Sequence, residues 1–531
     1  MELDRRNFLK SAMVAGVAAT AAGLVGCSPR AKPDSDASTA HAGPAAEGAN
    51  AAKTWKDAPE PITDIAETVE ADVVVVGAGA SGTCAALAAV EGGAKTVCIQ
   101  KGPMVLTHGS AYGAWNSSFQ REAGIEIDLL EMTNAHIRYN SMRPQFTFVQ
   151  EIFKQSAETL EWITDRTGFG WSVKNKAAAA LPYEPPSFAT GHGTEADKAI
   201  GLSTALADLA VEKGAEFYFD TPGVQLVQDG SGRVTGVIGQ NKKGEYVQFN
   251  AAKGVVLATG DYGSDYEMCA DLCPWAVGTN NYYYPNNNTG DGHKMGTWVG
   301  ARMEDAPHTK MAHVHSTSDG KDLSDSPIKS NPFLWVNSAG ERFCNEDVSF
   351  WYICNAVRMQ PTDEFFLVFD ANYNDHIQSF RKPGKAVDES AVQAAIDKGF
   401  IKVADTLEDA AKAWDIPADA LVKTVARYNE LAVAGVDEDF CKDAANMKEL
   451  TTPPYYICRS FSPMDVTMGG LMTNLKMQVV DEENKVIEGL YAAGNTSGGF
   501  YGGTDYDMEV DGFSLGRAAT TGRLAGTYAA E

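Results

Sequence analysis

Three glycines set the first recognisable chemistry of this chain. In Gly77-Ala78-Gly79-Ala80-Ser81-Gly82 they stand at Gly-x-Gly-x-x-Gly spacing, behind the run Val73–Val76 and ahead of the alanine-rich stretch Thr83–Val90. A second apolar run, Thr96–Ile99, closes a βαβ unit of about thirty residues, which is the dinucleotide-binding fingerprint. Gly77 permits the tight bend, Gly79 lets the backbone approach a pyrophosphate, and Gly82 lets helix pack on strand. Ala80 and Ser81 open a helix whose unpaired N–H groups and positive dipole end attract phosphates. At the tip of the second strand stands Gln100 rather than the usual acid. Its amide can bond a ribose as donor and acceptor, whereas a 2′-phosphate wants an arginine fork and only Lys101 is adjacent, so FAD is expected rather than NADP.

The elements that must position such a site begin well inside the chain. Arg5-Arg6-Asn7-Phe8-Leu9-Lys10 ahead of the apolar run Ala12–Val25 reads as a twin-arginine export signal, a route for proteins already folded around a cofactor. Leu24-Val25-Gly26-Cys27 resembles a lipoprotein box with Cys27 lipidated; a cleaved leader with an incidental cysteine is the alternative. Residues 28–65, rich in Ala, Pro, Ser, Asp and Gly, are expected to form a flexible tether. Net charge is −26 and no basic stripe occurs, which argues against nucleic acid as a partner. The eight cysteines after Cys27 are scattered, with no CxxCH for c-type haem and no spacing that suggests an iron–sulfur cluster or other metal site.

Helical patterns over 122–140, 145–167 and 199–214 lead into strands at Glu216, Val224, Val234 and Tyr246, a β-meander that delivers the chain to Gly254-Val-Val-Leu-Ala258-Thr259-Gly260-Asp261. The order of GxGxxG, meander, Ala258-Thr259-Gly260, Thr289-Gly290-Asp291-Gly292, Gly340-Glu-Arg342-Phe-Cys-Asn345-Glu346 and Gly489-Leu-Tyr-Ala-Ala-Gly494-Asn495 resembles the fumarate reductase/succinate dehydrogenase flavoprotein superfamily. The resemblance covers about residues 70–531. It implies an α/β fold: a discontinuous Rossmann-type FAD-binding domain at 66–305 and 457–531, with an inserted α+β capping domain at 306–456 and the active site where cap meets flavin. The FAD would be non-covalent, because no flavin-transferase attachment motif is recognised. Beyond the fingerprint residues, the resemblance implies cofactor contacts at Gly113, Ala114, Val224, Thr259, Gly260, Asp291, Gly494, Asn495, Ser514 and Leu515. The tail through Gly512-Phe-Ser514-Leu515-Gly516 is more similar to 3-ketosteroid Δ1-dehydrogenases and related enoate reductases, and it opens a helix whose N–H groups can stabilise reduced flavin.

Fumarate-type members grip two carboxylates with basic groups, and here several are replaced. Val466 stands where they have a histidine before Thr-x-Gly-Gly, Thr504-Asp505-Tyr506 replaces an asparagine–arginine pair, and the cap-domain arginine falls near Asn374. The final loop, Asp505-Tyr506-Asp507-Met508-Glu509-Val510-Asp511, alternates four acids with Tyr, Met and Val. If extended, it puts all four acids on one face. Acids toward the pocket would each cost a substrate carboxylate about 6 Å away about 3 kcal/mol at an effective dielectric of ~20, and the preferred arrangement keeps them solvated with the apolar side toward flavin. Either way a small dianion is disfavoured. Tyr506 is the leading catalytic residue, matching a tyrosine that grips the carbonyl in the similar ketosteroid enzymes; a packing tyrosine is the plainer alternative. Tyr373 or Tyr112 would protonate the α-carbon, and Glu346 matches a family proton-relay position or serves as a salt-bridge partner. Tyr282-Tyr283-Tyr284 lines the entrance or is ordinary loop.

The expected protein is therefore a membrane-anchored, extracytoplasmic FAD enzyme that reduces a carbon–carbon double bond conjugated to a carbonyl, an enone or enoate. A membrane-bound cytochrome would be its electron donor in anaerobic respiration. The rivals are the same fold run as a dehydrogenase and a ligand-binding lipoprotein that keeps FAD structurally.

Overall fold

Four consecutive valines, Val73 to Val76, are buried on both faces of the sheet, the pattern of a parallel strand covered by helices on either side. They end β1 (Ile65–Val76) in the computed structural model. The structure describes residues 54–173, 187–196, 198–279, 286–318, 323–324, 326–329, 331–348, 350–381, 383–502, 506 and 509–531. The signals read in residues 1–27, the Tyr282–Tyr284 run, and Thr504, Asp505, Asp507 and Met508 lie outside these. No helix among the described residues is long and apolar enough to cross a membrane.

After β1 come α1 (Ala80–Glu91), β2 (Thr96–Ile99), β3 (Glu216–Tyr218), β4 (Gly223–Gln228), β5 (Val234–Gln240) and β6 (Tyr246–Leu257). Strand β1 lies parallel to β2 on one side and β6 on the other, and β2 carries β3 in parallel. Three of the four strands expected in a meander form one, with β4, β5 and β6 antiparallel in succession, whereas the strand at Glu216 is the parallel β3 and stands outside it. Tyr246-Val-Gln-Phe and the apolar run at Gly254 form one long strand, because β6 continues along β1 after leaving β5. Val486–Ala492 adds in parallel to β6, with Gln478–Val480 at the edge, so chain from both sides of the insertion builds one sheet. The helix expected over 122–140 begins only at Leu129, where Asp128 accepts the N–H of Glu131 and caps it; Gly124, at positive φ, breaks the earlier turn. The tether ends sooner than expected. Trp55 is buried beside Tyr262 and Met268, its indole donates to Asp271 at 3.1 Å, and its carbonyl accepts from Trp298 at 2.9 Å.

Beyond α2 (Asp291–Trp298) the chain enters a second sheet, His315–Thr317, Tyr455–Phe461, Glu364–Asp370 and Leu334–Asn337, with Ile401–Ala404 on Tyr455–Phe461. This sheet has its own apolar layers, around Trp335 and Phe365 on one face and Phe366 and Leu421 on the other. Tyr455–Phe461 straddles the boundary expected at 456/457. Chain passes between the two sheets through β7 (Thr309–Ala312) and β8 (Met464–Met468), which pair antiparallel. Met311 faces Val466 but Ala312 faces Met464, so Asp465 is the extra residue of a β-bulge, a device that re-aims a side chain.

The C-terminal helix α5 (Phe513–Ala530) lies against α1 at backbone contact distance. A Cβ on Gly82 would stand 1.8 Å from the carbonyl oxygen of Gly77, and one on Gly522 would stand 2.1 Å from that of Ser81. Neither place admits a methyl group. Gly522→Ala is therefore expected to cost about 1–3 kcal/mol or more and to weaken flavin retention, whereas Gly230→Ala, with nothing within 4 Å, changes neither. Thermal melting and the flavin content of the purified variants check this.

Candidate active site

A cleft of about 320 Å³ opens where α1, α5 and the β7–β8 ribbon meet. At one end it is walled by Gly77, Gly79, Ala80 and Ser81. Gly79 caps α1 without any side-chain hydrogen bond, so the first turn presents backbone donors rather than a capping side chain. Gln100 lines the same end, but its amide serves the protein: Oε1 accepts from the Ala78 N–H at 3.0 Å and Nε2 donates to the Met104 carbonyl at 3.2 Å. The residue expected to read the ribose thus pins the glycine turn to the loop that follows β2. Lys101 is a strut as well. Its ammonium donates to Thr289 Oγ1 at 2.6 Å, Asp291 Oδ2 at 3.1 Å and the Asn287 carbonyl at 3.2 Å, which ties the strand tip to the start of α2 and withholds the charge from a 2′-phosphate.

In the middle, Thr259 Oγ1 accepts the Gly292 N–H at 3.0 Å, and Thr259, Gly260 and Asp291 all line the cleft. Asp261 beside them is buried, and burial pushes its pKa up to about 6 against the pull of N–H donors from Gly263 and Thr467. The loop of Gly494 and Asn495 lines the cleft too, with Gly494 against the Ser81 side chain, as do Ser514 and Leu515. Arg517 holds that loop, donating to the carbonyls of Gly494 and Ser497 at 3.1 Å each and to the Asn495 side chain. Helix α5 starts at Gly512, again with no side-chain cap, and Gly512 lines the cleft. Two uncapped helix N-termini with small residues between them fit a dinucleotide carrying phosphates at one end and an electron-rich ring at the other.

Several expected contacts stand elsewhere. Gly82 packs helix on strand, as its spacing implied, and does not line the cleft. Gly113 donates its N–H to the Gly512 carbonyl at 2.7 Å, and Ala114 donates to Thr190, so both support α5 while Gly109, Ser110 and Ala111 reach the cleft in their place. At β4 it is Gly223, not Val224, that lines it, because the strand alternates faces.

Three of the four catalytic expectations are corrected. Tyr112 packs edge-on against Trp171 in the core, where burial raises its phenol pKa, and it does not line the cleft. Tyr373 starts α4 (Tyr373–Ser379), packed on Phe369 and Tyr456 in the second sheet's apolar layer. Glu346 is buried between Arg342 at 2.8 Å and Lys442 at 3.3 Å and accepts the Trp335 N–H, in an ion cluster that does not line the cleft. Tyr506 does line the cleft, 4 % exposed, with its ring 5.4 Å from that of Tyr501. Of the acids after it, Glu509 and Asp511 are not solvated as preferred. Val510 bridges to Phe188, whose N–H bonds the Glu509 carbonyl, and this draws the segment inward. Glu509 is buried and accepts from the Tyr352 hydroxyl at 2.8 Å, while Asp511 lines the cleft.

Sequence reasoning passed over His108 and His313, both of which line the cleft. Burial lowers the His108 pKa to about 4. His313 follows β7 and forms an ion pair through Nδ1 with Asp465, the bulge residue, whose carboxylate is fully buried. Only the tertiary pairing of β7 with β8 links these two positions, which lie far apart in the chain.

The FAD binding domain family matches residues 72–506, and the chain belongs to it. A vinyl phenol reductase of Lactiplantibacillus plantarum is 28 % identical over 87 % of this chain and 96 % of its own length. Among solved structures, the open conformation of a flavocytochrome c3 fumarate reductase matches with a TM-score of 0.71 at 25 % identity, over 90 % of this chain and 82 % of that one. The 3-ketosteroid Δ1-dehydrogenase of Sterolibacterium denitrificans shares the fold, with a TM-score of 0.71 at 20 % identity over 87 % and 99 % of the two chains. The chain is thus an FAD-dependent oxidoreductase of the fumarate reductase flavoprotein type.

Because the pKa of Asp261 rises from 3.8 to about 6 in the folded protein, the native state holds a proton that the unfolded chain releases in that window. Its contribution therefore favours folding below pH 3.8 and is lost as pH rises through about 6. Asp261→Asn should remove this slope, with the stability difference between variant and parent moving by up to about 3 kcal/mol in the variant's favour between pH 4 and 7. Denaturant melts at the two pH values measure it.

Proposed function

We propose that this protein reduces a carbon–carbon double bond conjugated to a carbonyl in a neutral or singly charged substrate bulkier than a small dicarboxylate. The observation that carries the reading is the make-up of the cleft: Met311, Val466 and Tyr506 line it, no arginine does among the described residues, and its one lysine is already ion-paired with Asp291. A dianion entering such a site would lose its hydration and find no arginine and no unpaired lysine among the described residues that line it, and Asp511 would repel it. The reductases named above for vinyl phenol and fumarate support chemistry at a C=C bond. FAD, when bound, supplies the hydride.

Tyr506 holds the substrate carbonyl. A buried phenol donates a hydrogen bond that strengthens as negative charge builds on the oxygen, and its burial excludes competing water. Arg517 keeps the surrounding loop in place, with its guanidinium 5.3 Å from the Tyr501 ring centroid on the far side. Reduction also needs a proton, and neither Tyr112 nor Tyr373 is placed to give one. In this reading the enzyme is exported by the twin-arginine route, anchored through lipidated Cys27, and fed by a membrane-bound cytochrome; the flavocytochrome relative supports a haem protein as donor.

Dithionite-reduced protein mixed anaerobically with a panel of enones, enoates and fumarate is expected to be reoxidised by a bulkier enone or enoate and negligibly by fumarate. Tyr506→Phe should lower kcat by about 10²-fold or more with flavin content unchanged. A variant with the parent's kcat, or a parent that prefers fumarate to every other compound, overturns the pocket chemistry. In stopped flow, reduced viologen should bleach the flavin rapidly and NADH and NADPH should not; fast bleaching by either nicotinamide would show that no cytochrome donor is required.

A further inference from the structure

The proton that the proposed reduction consumes has a source in the cleft. We propose that His313, held and charged by Asp465, is the general acid that protonates the substrate α-carbon; this rests on the reductase reading given above. His313 lines the cleft at the end of β7, on the same wall as Met311 and Val466. Its Nδ1 meets Asp465 Oδ2. Asp465 is the bulged residue of β8, and the extra residue turns its carboxylate toward β7 rather than into the regular alternation of the ribbon.

The carboxylate has no exposed surface and accepts no hydrogen bond among the described residues, so His313 is what compensates its charge. A buried carboxylate in that position favours imidazolium over imidazole and fixes the proton on Nδ1, which leaves Nε2 as the nitrogen that exchanges a proton with a bound molecule. The other groups around the ring pull both ways. His315, with its ring centroid 6.1 Å away, and Lys310 on β7 oppose a second positive charge. Asp261, Asp291 and Asp511, which also line the cleft, favour it, while His108, with its lowered pKa, stays neutral. The contact pair dominates, because Coulomb energy falls with distance and Asp465 touches the ring.

The step balances. Reduced FAD, when bound, would supply a hydride with its electron pair to the β-carbon as the C=C π bond breaks; the pair left on the α-carbon and carbonyl is the enolate that Tyr506 steadies. The α-carbon then forms its new C–H bond with the proton from His313 Nε2. The product is saturated, the flavin is oxidised, and His313 is left neutral beside Asp465 until solvent returns its proton.

His313→Gln should slow reoxidation of the reduced enzyme by the best enone or enoate about 10²-fold or more, with substrate affinity by fluorescence titration and flavin content within error of the parent and a lowered melting temperature, since Asp465 loses its counter-charge. In Asp465→Asn the fall in rate at high pH should move at least one unit toward acid. NMR titration of the histidine ring signals, which needs no turnover, should show a histidine that is absent from His313→Gln, that titrates above free histidine in the parent, and whose midpoint drops in Asp465→Asn. If the parent turns over an enone and His313→Gln matches its rate and pH profile, the acid role is wrong and the reductase reading stands. If the parent turns over none of the compounds, the reductase reading falls and the acid role falls with it. A His313 signal that titrates at or below free histidine overturns the charged dyad whichever way turnover comes out.

Discussion

The site depends on three stretches of backbone, distant in sequence, approaching to a separation that only hydrogen in place of a side chain allows. Gly82 lies against the carbonyl of Gly77, Gly522 against that of Ser81, and Gly516 against Gly113. These contacts set the spacing between α1, α5 and the loop after β2. That spacing brings the two uncapped N-termini, at Gly79 and Gly512, to the wall of one cleft. Packing here acts before electrostatics, since a helix dipole contributes only where its first turn faces the ligand.

Around this frame, polar groups expected to contact the ligand serve as internal fasteners. Gln100 and Lys101 spend their donors and acceptors on the glycine turn and on the entry to α2. Arg517 does the same for the 494–497 loop. Each of these polar groups is wholly or partly out of water, so each needs partners of its own, and neighbouring backbone supplies them before any cofactor arrives. The preorganisation of the cleft follows from this need.

The β7–β8 ribbon gives the substrate end a different character. Both passages of chain between the two sheets run through it, and its bulge places a fully buried carboxylate on the histidine that lines the cleft. On this wall Val466 and Met311 stand beside the His313–Asp465 pair.

Local pattern alone determined the dinucleotide turn, the meander, the long helices and the family, because glycine spacing, period-two alternation and consecutive valines report short-range geometry that tertiary contacts then reuse. The cleft positions of Gly77, Gly79, Thr259, Gly494 and Ser514 were legible for the same reason. Tertiary structure decided which polar side chains face the ligand. Tyr112, Tyr373 and Glu346 have the right chemistry but are turned into apolar layers or an ion cluster, since a strand or helix offers two faces and the residue type does not say which one is buried. Likewise Glu509 and Asp511 turn inward beside a bridge from Val510 to Phe188 that no alternation foretells. The His313–Asp465 pair spans about 150 residues of chain and exists only through a one-residue bulge in the register of two strands, a quantity fixed by cross-strand pairing and invisible to any local reading of the sequence.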